Sequence, residues 1–148
     1  MQSKKLALAA ILTSTTIVSR LILAPLPNIK PVVFFTLFSG IFAGPIVGFL
    51  VGFLSMIITD MLYFGSGVWT MVTAPAMGVV GLLGSFFVRF GGEISRFNLF
   101  ILGFFVTLFY DLITSAALAY VFNYSIIVAV IMLFFTSPYP FGPVHEFV

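Results

Sequence analysis

Three ionisable side chains stand inside otherwise apolar runs: Arg20, Asp60 and Asp111. A charge held at the centre of a bilayer costs about 2.5–3.5 kcal/mol on the insertion scale. Three such groups facing lipid would cost about 8–10 kcal/mol, comparable with the stability of a whole domain. They must therefore face the interior and meet one another, water or a ligand. One guanidinium and two carboxylates can pin a helical bundle as an internal ion network, or they can form the polar floor of a binding cavity. Both readings stay open from these residues alone.

A second polar group lies in Ala24-Pro25-Leu26-Pro27-Asn28-Ile29-Lys30-Pro31. Each proline fixes its own φ, removes an N–H donor and biases its predecessor towards extended structure. The result is a stiff break between two apolar segments, with Asn28 and Lys30 as its hydrogen-bonding groups. Tyr63, Trp69 and Tyr110 are the aromatic residues placed to stack on a flat ligand, and His145 lies beside prolines near the chain end.

Several chemistries are excluded. The chain has no G-x-x-x-x-G-K-S/T phosphate loop and no G-x-S-x-G nucleophile elbow. One histidine and no cysteine leave no zinc-ligand set and no Cys–His pair. No cofactor is called for, and an enzyme is not expected.

The elements that must position these groups follow from composition. Of the 148 residues 61% are hydrophobic and only 7% charged, against roughly 25% charged in ordinary soluble domains. With a mean hydropathy of +1.27, this is the composition of an all-α polytopic membrane bundle in one domain, residues 1–148. A net charge of +2, scattered along the chain, gives no reason to expect nucleic acid. The N-terminal run, with Arg20 late in it and no cleavage-like end, reads as a retained helix rather than a signal peptide.

Five spans are expected, at about residues 6–24, 31–44, 45–64, 71–89 and 97–122. The second is short for a crossing, and Pro75 is a candidate kink in the fourth. Glycines at 40, 44, 48 and 52 have GxxxG spacing, a smooth face for close packing within the bundle or against a membrane partner. A partial apolar segment, about 126–136, is too short to cross alone. The apolar stop at Val148 reads as the opening of a sixth helix in a chain shortened relative to its relatives.

Lys4, Lys5, Arg89 and Arg96 fall on one side, and Arg20 and Lys30 towards the other. The positive-inside rule then puts the N-terminus in the cytoplasm and the 25–30 and 65–70 connections outside. Arg20, Asp60 and Asp111 each fall roughly 15 residues into spans that run in the same direction, so they share a depth.

The ordered set Arg20, Leu26-Pro27-Asn28-Ile29-Lys30-Pro31, Gly40 to Gly44-Pro45, Gly48-Phe49-Leu50-Val51-Gly52, Gly67-Val68-Trp69-Thr70 and Met77-Gly78-Val79-Val80-Gly81-Leu82-Leu83-Gly84 resembles the substrate-binding (S) components of energy-coupling factor (ECF) transporters. The likeness covers residues 5–90 well and 97–148 loosely. It implies a six-helix plasma-membrane protein that captures a vitamin or similar micronutrient from outside. The partners it implies are a transmembrane coupling subunit and two ATPase subunits. The ligand-covering loops would map to Asn28 and Lys30 and to the region of Trp69, and His145 matches the histidine that opens the sixth helix. In place of the family's Ala-x-x-x-Ala docking pattern, span one carries Ala9-x-x-x-Thr13 and Ala10-x-x-x-Ser14. The proline loop resembles the subgroup associated with cobalamin or with unassigned ligands. The alternative is a small ion-coupled carrier using Asp60 and Asp111 as proton sites; no matching half-chain repeat supports it.

Overall fold

A computed structural model describes residues 2–25, 31–123 and 125–128. Among these the chain forms α1 (Gln2–Leu23), α2 (Pro31–Ala43), α3 (Pro45–Thr59), a π-helical turn (Asp60–Phe64), α4 (Val68–Arg89) and α5 (Arg96–Val121). Among the described residues four helices are long and apolar enough to cross a bilayer: Ser3–Leu23, Pro45–Phe64, Val68–Arg89 and Arg96–Val121. The short Pro31–Ala43 helix completes the expected five segments. At about 1.5 Å per residue it is some 20 Å long; Val32, Val33, Thr36, Leu37, Ser39 and Gly40 face the bundle, and Phe34, Phe38 and Phe42 are exposed on its other face. The partial segment at 126–136 lies mostly outside the described residues.

Single residues set the boundaries. Gly44 alone joins α2 to α3, at a φ of 94° that a side chain would resist, and Pro45 opens the next helix at a position where its missing N–H costs nothing. Ser95 caps α5 by accepting from the Asn98 N–H. α4 begins at Val68, three residues before the expected start at 71, so Trp69 and Thr70 are helical and the connection shrinks to Gly65–Gly67. The reason is local: Thr70 turns its hydroxyl back to Asp60, which draws the start of α4 against the end of α3. α4 then continues through Pro75 to Arg89.

The core sits where α2, α3 and α4 cross. Gly40, Gly48 and Gly81 meet backbone to backbone there: a Cβ on Gly48 would stand 2.6 Å from the Gly40 Cα, and one on Gly81 would overlap the Gly48 carbonyl. In a membrane, where lipid tails are as apolar as leucine, such close approach supplies the packing energy that hydrophobicity cannot. The GxxxG face is thus consumed inside the bundle. Around it pack Val32, Val33, Leu37, Met56, Met77 and Val80, with Val106 and Tyr110 from α5. α1 lies at the periphery, held by a seam of Ala9, Val47 and Val51.

Candidate functional site

The sequence places charge where three elements converge, and the bundle closes on it. The Arg20 guanidinium, from the last turn of α1, donates through Nη1 to Asp60 Oδ1 at 3.2 Å and to Thr59 Oγ1. Asp60 is 2% exposed. Its other oxygen accepts from the Thr70 hydroxyl at 2.7 Å, and Thr70 in turn accepts from the Gly67 N–H at 3.3 Å. Thr59 donates to the Ser55 carbonyl at 2.6 Å, which fixes its hydroxyl for the guanidinium. The Arg20 Cζ lies 4.5 Å from the centre of the Phe64 ring, a cation–π distance. Every oxygen of the buried carboxylate is therefore bonded, the condition for a charge pair to be tolerated in a low dielectric.

The π-helical turn makes this geometry. A single widened turn at the end of an α-helix shifts the residues that follow round the axis and recurs at functional sites. Here it keeps Asp60 inward and turns Met61, Leu62 and Tyr63 outward, each more than 60% exposed. Tyr63 packs edge-on against Phe64, with centroids 4.9 Å apart. Trp69 lies back over the Gly67 backbone, where any side chain would collide with its ring.

Of the expected site residues, Arg20 and Asp60 are in direct contact. Tyr110 is buried and close enough to both to feel their charges. Asp111 is buried beside Tyr110 on α5, but the ion pair of Arg20 goes to Asp60. Of the three expected charges, Arg20 and Asp60 form an ion pair and Asp111 is buried on α5. Tyr63 and Trp69 stand on the exposed rim of the same end. Asn28, Lys30 and His145 lie outside the described residues.

The docking positions divide. Ala9 and Thr13 are buried, Ala9 against Val47 and Val51 of α3. Ala10 and Ser14, one residue on and so rotated about 100° round the helix, are exposed.

Thr59, Thr70 and Phe64 were missed. Hydroxyl residues and phenylalanines are too common in membrane helices to stand out by type. The usable signal was position, since Thr59 adjoins a charged residue and Thr70 follows a Gly-Ser-Gly turn.

A groove of about 280 Å³ lies elsewhere, between α2 and α5, lined by Phe34, Phe38, Phe42, Phe100 and Phe104 with Arg96 at one end. A smaller cavity of about 70 Å³ lies against Tyr110 between α4 and α5. Neither contains Arg20 or Asp60. The first is almost wholly apolar and suits hydrocarbon, and the second is too small for a vitamin. Among the described residues no group of His, Cys, Asp and Glu is placed to hold a metal ion.

With this geometry in place, the comparisons with known proteins narrow the reading. Residues 1–139 match the family model described as ECF-type riboflavin transporter, S component. Neither the curated proteins nor the solved structures give a match.

Proposed function

We propose that this chain, which belongs to the family of S components of ECF-type riboflavin transporters, captures riboflavin or a closely related flavin at the Arg20–Asp60 end of its bundle. The observation that carries the reading is the ion pair itself. A charge pair in a membrane helix is costly to keep, marks a functional site by default, and here is tied through Thr70 to the start of α4, next to the half-exposed Trp69. The family description favours a flat flavin over the cobalamin-like ligand that the proline loop suggests. Capture is the first step of import, in which a transmembrane coupling subunit and two ATPase subunits supply the drive that a chain without a phosphate loop lacks. The N-terminus then lies in the cytoplasm and the Arg20 end faces outside. The ion-coupled alternative loses ground, because both Asp60 oxygens are already engaged by Arg20 and Thr70.

Riboflavin added to the detergent-solubilised chain is expected to quench Trp69, the sole tryptophan, and to lose its own fluorescence, both saturating at one ligand per chain. Titration with no change in either signal, alongside a folded protein, would rule out flavin capture.

The docking face follows from the division on α1. Ala10→Trp is expected to weaken association with the coupling subunit at least tenfold in a pull-down while leaving riboflavin titration unchanged, because Ala10 points away from the bundle. Ala9→Trp should instead destabilise the chain itself, by the roughly 1–3 kcal/mol or more of an overpacked core. Equal behaviour of the two variants would remove the assignment.

A further inference from the structure

Arg20 is only partly used. A guanidinium carries five N–H donors in a rigid planar fork and no acceptor. Both Nη1 protons are spent, one on Thr59 and one on Asp60. The two on Nη2 and the one on Nε have no partner among the described residues, although the side chain is only 19% exposed. These three donors are the part of the guanidinium that Thr59 and Asp60 leave able to meet a ligand.

The rest of the group is immobilised. Its Nη1 side is locked by two hydroxyl- and carboxylate-oxygen acceptors, each itself held: Thr59 by the Ser55 carbonyl, Asp60 by the Thr70 hydroxyl. One face is covered by Phe64. A fork fixed in this way offers two parallel donors and selects two acceptors lying side by side. Asp60 cancels the charge, so the pair as a whole is neutral and gives no advantage to an anion. The matching chemistry is a neutral, flat heterocycle with a carbonyl oxygen next to an unprotonated ring nitrogen.

We propose that the Nε–Nη2 edge of Arg20 reads such an adjacent oxygen–nitrogen pair on the ligand, and that Thr59, Asp60 and Thr70 are positioning residues that do not touch it. This rests on the flavin reading above. The isoalloxazine ring presents two pairs of this kind, O4 with N5 and O2 with N1.

The test uses riboflavin and its 1-deaza and 5-deaza analogues, each of which replaces one ring nitrogen by C–H, titrated against the detergent-solubilised chain. The wild type is expected to bind one of the two analogues about tenfold or more weakly than riboflavin, as expected when a site built to hydrogen-bond loses its acceptor. Arg20→Lys keeps the charge and loses the fork; it should bind riboflavin about tenfold or more weakly, and the analogue penalty should disappear. Thr59→Val, which keeps Arg20 and its charge but removes one anchor, should shrink the same penalty and so decides the matter if the lysine variant does not fold. An analogue penalty unchanged in both variants, or no penalty in the wild type, overturns the role of Arg20 while riboflavin capture stands. Failure of the folded wild type to bind all three compounds overturns both.

Discussion

Gly81→Leu is expected to leave no folded protein to purify. The Gly81 Cα faces the Gly48 carbonyl and the Phe49 N–H, and the Gly81 carbonyl lies where a Gly40 side chain would begin. Three backbones meet there, so the intruding atoms press on peptide groups rather than on side chains that can change rotamer. Overpacking of an adaptable core costs about 1–3 kcal/mol, and a collision with fixed backbone belongs to the rare class beyond about 4 kcal/mol. α2, α3 and α4 would have to separate, taking with them the contact between the end of α3 and the start of α4 on which the Asp60–Thr70 bond depends. Even Gly81→Ala should lower the midpoint of unfolding in mixed detergent micelles. Gly103→Ala is the control: a Cβ there meets nothing within 4 Å, and its gain in helix propensity is worth up to about 1 kcal/mol. If Gly81→Leu and Gly103→Ala give the same yield and the same unfolding midpoint, the three-glycine junction does not hold the bundle.

That junction was half visible before the structure. Glycines four apart at 40, 44, 48 and 52 announce a smooth helix face, but spacing cannot say what covers it, and the choice between bundle and partner is settled only by the third glycine, Gly81 on α4. Gly44 also belongs to the spacing pattern and not to the face, because it ends α2 at positive φ. The five apolar helices were legible, since a run of apolar residues is a one-dimensional signal, although α4 begins three residues before the expected start. Depth was nearly as readable: counting residues along parallel helices brought Arg20 and Asp60 level, and they pair. Rotation about each helix axis was not readable. It decides that Asp60 rather than Asp111 receives Arg20, that Ala9 faces inward while Ala10 faces out, and that Tyr63 points away from the pair. The π-helical turn is the extreme case. One widened turn redirects every residue from Asp60 to Phe64, and no local preference in Asp-Met-Leu-Tyr-Phe marks it; it is fixed by what Asp60 must reach.

The pair at the centre of the site then permits a separation of stability from binding. Asp60→Ala is expected to destabilise the chain by roughly 3 kcal/mol, the low end of the cost of leaving a buried charge without its partner, because Arg20 keeps some exposure. Thr70 loses its acceptor in the same step, so the start of α4 should loosen as well. Arg20→Leu alone strands the Asp60 carboxylate, which is almost wholly enclosed, and should cost at least as much. Arg20→Leu combined with Asp60→Leu removes both charges and fills the space with hydrocarbon. Buried ion pairs replaced by apolar groups of similar size are often neutral or stabilising, so the double variant should recover most of the lost stability in the same unfolding titration. It should nevertheless bind riboflavin no better than Arg20→Leu does. A double variant that regains both stability and binding would make the pair a structural pin and move the ligand site elsewhere. One that regains neither would mean that Thr59, Thr70 and Phe64 depend on the charges for their own placement. Recovery of stability without binding is the outcome expected of a charge pair kept in the membrane for what it recognises.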